Sequence, residues 1–132
     1  MKLVLVYLST LFVFLALDGL LLGLAAGSFY SDILGDLMVD RFRIVPAVLF
    51  YLLYIAGIVG FVLPLARQKG NIGAAAAYGL FFGLCAYGTY DLTNQAVLRV
   101  WTWQLTAIDM AWGAFVTTAA SVTGAWVERA RR

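Results

Sequence analysis

Three aspartates, Asp18, Asp91 and Asp109, lie inside stretches that are otherwise apolar enough to cross a membrane. A charged side chain at the centre of a bilayer costs about 2.5–3.5 kcal/mol on insertion scales. The chain has only seven acidic residues, and three of them occupy such positions. Intramembrane carboxyl groups typically pair with other groups, contact ions or substrates, or relay protons. These three residues are therefore the first candidates for a functional site.

The composition is that of a membrane protein. Of the 132 residues, 64% are hydrophobic and only 12% are charged, and the mean hydropathy is +0.92. Soluble domains carry about 25% charged residues. A net charge of +2 without a basic stripe argues against a nucleic-acid partner. Histidine is absent and Cys85 is the single cysteine, so the sequence predicts no internal disulfide, no metal site and no cofactor.

Four segments meet the requirement of roughly 20 mostly apolar residues for a spanning helix. They cover about 3–26, 44–66, 72–98 and 105–127. The predicted fold is all-α: a four-helix transmembrane bundle that forms a single integral membrane domain over 1–132. The first segment follows Lys2 and resembles a signal peptide, but it is too long for one and contains Asp18. A membrane span is therefore the preferred interpretation.

The first connection between spans, from about Gly27 to Arg43, predicts a short amphipathic helix at the membrane interface. Its apolar residues recur at helical spacing, and its acidic residues line a different face: Tyr30, Ile33, Leu34, Leu37 and Met38 against Asp32, Asp36 and Asp40. An irregular loop with solvated charges is the alternative.

The distribution of basic residues predicts the orientation, because cytoplasmic loops are enriched in lysine and arginine. Six basic residues fall on one side of a four-span topology: Lys2, Arg67, Lys69, Arg129, Arg131 and Arg132. Three fall on the other side: Arg41, Arg43 and Arg99. Both termini are therefore expected in the cytoplasm.

The three aspartates are expected at a similar depth. With a rise of about 1.5 Å per residue, Asp18 lies roughly 22 Å from the cytoplasmic end and Asp91 roughly 28 Å along its helix. Asp109 enters from the opposite face and lies about 6–8 Å below it, in a hydrocarbon layer about 30 Å thick. The three carboxyl groups thus share one layer in the outer leaflet.

A ligand-binding cluster is predicted in this layer. Its members are Asp18, Tyr87, Tyr90, Asp91, Asn94, Asp109 and Trp112. Tyr87 and Asp91 are four residues apart and share a helical face, as do Tyr90 and Asn94. Arg99 is within snorkelling distance. The alternative is that the polar residues only join helices, at about 0.6 kcal/mol per contact.

Aromatic and small residues predict how the bundle sits and packs. Trp101, Trp103 and Trp126 are interpreted as interfacial belt residues. Glycine and alanine allow helix backbones to approach closely, and they form three series: Gly19, Gly23 and Gly27 on the first span, Gly57 and Gly60 on the second, and Ala75, Gly79 and Gly83 on the third. Packing within the chain is expected, with a homodimer as the alternative.

Several strings resemble a known family. They are Leu17-Asp18-Gly19, the segment 46–51, Tyr90-Asp91-Leu92-Thr93-Asn94 and the Asp-x-x-Trp-Gly string that begins at Asp109. Nearly the whole chain resembles the small four-span bacterial membrane proteins known as domain of unknown function two-one-seven-seven. One departure is Leu21-Leu22, where the family commonly has Trp-Leu. The resemblance implies a bacterial inner (plasma) membrane location and an accessory role in lipid modification or stress response.

Two functional hypotheses follow. In the first, the cluster binds a small molecule or a membrane lipid. In the second, the chain is a structural or assembly subunit with a protein partner or a second copy of itself. An enzyme acting on lipid is less favoured, because no nucleophile–base pair is visible even though two carboxyl groups could perform acid–base chemistry.

Overall fold

The computed structural model describes residues 2–21, 23, 27–41 and 43–131. Its helices are α1 (Lys2–Leu21), α2 (Gly27–Leu34), α3 (Ile44–Lys69), α4 (Ile72–Val97) and α5 (Trp103–Ala130). A 3-10 turn, Gly35–Leu37, follows α2, and a π-helical turn, Ile58–Val62, interrupts α3. The helices α1, α3, α4 and α5 are long and apolar enough to cross a membrane. The predicted all-α transmembrane bundle is confirmed, while residues 22 and 24–26 of the first predicted span lie outside the described part.

The helix ends follow local chemistry. Gly70 has a φ of 75° and ends α3 in the left-handed conformation that glycine tolerates best. The side chain of Asn71 then caps α4 by accepting a hydrogen bond from the Ala74 amide at 2.7 Å. Thr102 caps α5 in the same way, from the Leu105 amide at 3.1 Å. The short connections on either side of α4 are therefore well defined.

The helix α5 forms the centre of the bundle. About half of its apolar window is buried, against 17–28% for the other three spanning helices. It packs chiefly against α4 and α1. The outer faces of the surrounding helices carry exposed apolar side chains such as Phe12, Leu53 and Phe81. Such faces suit lipid contact and leave the polar residues of the chain to be gathered around α5.

Small residues on α4 bring it close to α5, as predicted. A Cβ atom added to Gly79 would lie 2.6 Å from Ser121 Oγ, and one added to Gly83 would lie 2.9 Å from the Gly113 carbonyl oxygen. Ala75 is fully buried. On α3, a Cβ at Gly57 would lie 2.9 Å from Phe82 Cζ, whereas Gly60 has no such neighbour within 4 Å.

Two glycines of the first predicted span are not used in this way, so the prediction of internal packing is wrong for Gly19 and Gly23. A Cβ at either position would meet nothing within 4 Å, and the surroundings of Gly27 lie outside the described part. The buried face of α1 runs through Val6, Thr10 and Phe14 at a spacing of four residues. Asp18 continues that row, so Gly19 is turned about 100° away from it.

The three tryptophans that were interpreted as belt residues differ in their exposure. Trp101 is only 5% exposed, and its indole Nε1 donates to Thr106 Oγ1 at 2.9 Å. The interpretation of Trp101 as a belt residue is therefore wrong, because the turn between α4 and α5 folds it into the protein. Trp103 and Trp126 are 71% and 65% exposed, and their place in an interfacial belt stays a prediction.

Candidate functional site

A cavity of about 570 Å³ lies at the end of the bundle covered by α2. Every helix contributes to its walls, which are mainly aliphatic and aromatic. The lining residues are Asp18, Leu21, Tyr30, Leu34, Met38, Ala47, Phe50, Tyr51, Ala86, Tyr87, Tyr90, Asp109 and Trp112. Two of the three intramembrane aspartates thus face one space.

Asp18 is held by two neighbouring helices. The hydroxyl of Tyr51 on α3 donates to its Oδ2, and the indole Nε1 of Trp112 on α5 donates to its Oδ1 at 3.3 Å. The carboxyl group continues the buried row of α1 and is half-buried. These bonds orient the carboxyl group at the cavity wall and tie α1 to the bundle.

The carboxyl groups of Asp91 and Asp109 form a pair. Asp109 on α5 is 8% exposed and accepts a hydrogen bond from the Tyr30 hydroxyl. Asp91 on α4 is fully buried, and its carboxyl group lies close enough to that of Asp109 to interact with it electrostatically. Apart from this contact with Asp109, neither carboxyl oxygen of Asp91 has a hydrogen-bond partner among the described residues. Buried polar atoms are normally paired, so this arrangement requires an explanation.

Tyr30 connects α2 to the carboxyl group pair. Its pKa lies above the ordinary value of 10.0, first because the phenol is partly buried and then because of the hydrogen bond to Asp109 and the nearby charges of Asp109 and Asp91. Tyr30 therefore stays a protonated hydrogen-bond donor at neutral pH.

The structure brings most of the predicted cluster together. Five predicted residues line the cavity: Asp18, Tyr87, Tyr90, Asp109 and Trp112. Asp91 interacts with Asp109 but is not among the residues that line the cavity. The role of all these residues in binding stays a prediction.

Asn94 and Arg99 do not join the cavity. Asn94 lies one turn beyond Tyr90, near the end of α4, where its backbone carbonyl accepts from the Leu98 amide at 2.8 Å. Arg99 is exposed, and the described residues contain no ion pair between it and an aspartate. Asn94 lies in the last turn of α4 and Arg99 lies just beyond its end, and neither residue is among those that line the cavity.

Two tyrosines that hold the aspartates, Tyr30 and Tyr51, are absent from the predicted cluster. Each lay within a segment noted for another reason: Tyr30 on the apolar face of the outer helix, and Tyr51 in the string at 46–51. The short helix is confirmed. Its residues Tyr30 and Leu34, with Met38 beyond it, face the cavity. No spacing rule in the sequence could pair Tyr51 with a residue 33 positions away.

The lining of the cavity offers both carboxyl groups and aromatic rings. It combines two carboxyl groups with the rings of four tyrosines, a phenylalanine and a tryptophan. No lysine or arginine is among the described lining residues. The part of the chain that the structure describes contains no group of three His, Cys, Asp or Glu side chains able to hold a metal ion.

Comparison with known proteins bears on the family and not on the ligand. No curated protein and no solved structure matches the chain. A family model covers residues 3–126, nearly the whole of the bundle, and agrees with the resemblance carried by the strings around Asp18, Asp91 and Asp109. The chain belongs to the family described as "Predicted membrane protein (DUF2177)".

Proposed function

We propose that this membrane protein binds a small amphiphilic molecule, such as a lipid or a compound dissolved in the membrane, in the cavity under α2. The observation that carries the proposal is the cavity of about 570 Å³ with Asp18 and Asp109 on its otherwise mostly apolar and aromatic wall. Ligand sites typically measure about 300–1,000 Å³ and combine apolar walls with a few placed polar groups. Binding without catalysis also suits an accessory role in lipid modification or stress response.

The proposed location of this site is the outer leaflet of a bacterial inner membrane. Six basic residues flank the opposite end of the bundle, against three at the cavity end. Since cytoplasmic segments are enriched in lysine and arginine, this asymmetry supports cytoplasmic termini and an outward-facing cavity.

Filling the cavity tests the proposal. Ala47 lines the cavity, so Ala47→Trp should occupy the ligand's volume. Leu53 lies on the same helix but is 74% exposed, so Leu53→Trp is the matched control. Native mass spectrometry of the purified protein should show a co-purified small molecule in the wild type and in Leu53→Trp, and its loss in Ala47→Trp. Equal retention by both variants would refute binding in this cavity.

A second candidate function is that of a subunit in a larger membrane complex. The observation in its favour is the open face formed by Gly19 on α1 and by Gly23 four residues later, where an added Cβ would meet no described atom within 4 Å. Such faces allow another helix to approach closely. Purification in a mild detergent should then yield a stable heteromeric assembly that Gly19→Leu disrupts. A monomer with no change on substitution would argue against it.

A further inference from the structure

The carboxyl groups of the cavity have no positive side chain to balance them. Asp18 and Asp109 line the cavity without a lysine or arginine among the described lining residues. The ion pair found in the described part of the chain joins Arg67 and Glu128 near the other ends of α3 and α5. Buried charges in proteins are normally paired with an opposite charge. No described lining residue supplies a positive partner for these aspartates, whereas a cation bound in the cavity would supply one.

The buried position of Asp91 also favours a positively charged partner at this end of the cavity. Asp91 is fully buried and its carboxyl group interacts with that of Asp109, while no other described residue offers its carboxyl oxygens a hydrogen bond. A hydrogen-bond donor or cation near Asp109 would interact favourably with both groups. The hydroxyl of Tyr30 already bonds to Asp109, but a carboxylate offers about four acceptor positions. Acceptor capacity thus remains at this end of the cavity.

The remaining walls suit a cation on an apolar body. Aromatic faces attract ammonium groups through their π electrons, and the cavity is lined by Phe50, Tyr51, Tyr87, Tyr90 and Trp112. The aliphatic side chains at the same cavity would contact an apolar tail. An anionic ligand would instead meet two carboxyl groups and no basic side chain among the described lining residues.

We propose that the ligand of this cavity carries an ammonium group, which binds between Asp18 and Asp109, on an apolar body that fills the rest of the space. This inference rests on the proposed binding function and names the class of ligand. The same chemistry is offered by a free amphiphilic amine and by the headgroup of an amine-bearing lipid.

Two probes that differ in charge test the inference: octylammonium and octanol, both below micelle-forming concentrations. They are titrated by calorimetry into the full chain in phosphatidylglycerol nanodiscs, with empty nanodiscs subtracted. Octylammonium should bind about tenfold or more tightly than octanol, and Asp18→Asn and Asp109→Asn should each weaken it about tenfold or more. Asp32→Asn, which removes an exposed carboxyl group on α2, is the matched control and should leave binding unchanged.

A second titration, in nanodiscs of different lipid composition, distinguishes the two sources of the ammonium group. Adding phosphatidylethanolamine to the nanodiscs should weaken octylammonium binding if an aminolipid headgroup enters the cavity. Unchanged binding assigns the cavity to a free amine. Either result is compatible with the inference, which depends on charge selectivity.

Equal binding of octanol and octylammonium, or wild-type affinity in both aspartate variants, would overturn the ammonium assignment. If Ala47→Trp then still abolished octanol binding, the proposed binding function of the cavity would remain supported and only the ammonium assignment would be rejected. If Ala47→Trp had no effect on the binding of either probe, both the binding function of the cavity and the ammonium assignment would be rejected. Should the aspartate variants fail to reconstitute, the selectivity of the wild type between the two probes decides alone, with Asp32→Asn as the variant that should retain it.

Discussion

Gly113 allows the ring of Tyr87 to lie directly against α5. A Cβ atom at this position would overlap the root of that ring, including Cγ, which cannot swing aside as a flexible chain end could. Because Tyr87 lines the cavity, its displacement would disturb both the contact between α4 and α5 and the shape of the site. One absent methyl group thus connects helix packing to the candidate function.

We therefore expect Gly113→Ala to lower the free energy of unfolding by about 1–3 kcal/mol, the usual effect of overpacking. Gly19→Ala is the control, since a Cβ there meets no described atom within 4 Å, and the helix preference for alanine should leave stability unchanged or raise it by up to about 1 kcal/mol. Reversible unfolding in mixed detergent micelles measures both. Equal effects at the two glycines would contradict the close approach of Tyr87.

The raised pKa of Tyr30 predicts that the stability of the fold depends on pH in the alkaline range. Its pKa in the folded protein is raised above the ordinary value of 10.0, so the folded state holds the phenolic proton more tightly than the unfolded state. The resulting stabilisation is complete below pH 10 and is lost as the pH rises from there through the folded pKa. Tyr30→Phe should flatten the loss of stability above pH 10, measured by thermal unfolding. An unchanged pH profile would show that Tyr30 does not couple α2 to the bundle.

At the scale of the elements, a closed set of hydrogen bonds holds the turn between α4 and α5. Trp101 Nε1 donates to Thr106 Oγ1 at 2.9 Å, and that hydroxyl donates to Gln95 Oε1 at 2.7 Å. The side-chain amide Nε2 of Gln95 donates to the backbone carbonyl of Trp101 at 3.0 Å. Because these groups span the end of α4 and the start of α5, they set the register in which Asp91 meets Asp109.

Thr106→Val should consequently destabilise the bundle by about 1–3 kcal/mol, because it leaves the buried indole N–H without its acceptor. Thr118→Val on the same helix is the control, since that hydroxyl bonds only to the carbonyl of Ala114 one turn earlier. Its effect should stay below about 0.5 kcal/mol. The comparison uses equilibrium unfolding, and similar losses in both variants would count against a special role for the turn.

At the scale of the whole molecule, four helices that each cross the membrane would place both termini on one side of it. Lys69 and Arg99 then lie at opposite ends of α4, on opposite sides. In a Cys85→Ser background, a membrane-impermeant maleimide should label Arg99→Cys in intact cells and Lys69→Cys only after permeabilisation. The reverse pattern would invert the proposed orientation, and labelling of both from one side would contradict the four-span topology.

The sequence by itself determined the number of spans, their approximate limits and the common layer of Asp18, Asp91 and Asp109. These properties depend on the length of apolar runs and on the constant rise of a helix, both of which are local. The Asn71 and Thr102 caps were likewise a matter of neighbouring residues. The number and order of the helices therefore required no knowledge of their contacts.

Only the tertiary structure decided which face of each helix points inward. A spanning helix is apolar on nearly every side, so the sequence pattern does not report its rotation about its own axis. For that reason the glycines of α1 were expected in the core and face outward, Asn94 was placed at a cavity that it does not reach, and the tyrosine partners of Asp18 and Asp109 were not identified. The layer of the aspartates was a property of the chain, whereas the cavity between them is a property of how the helices pack.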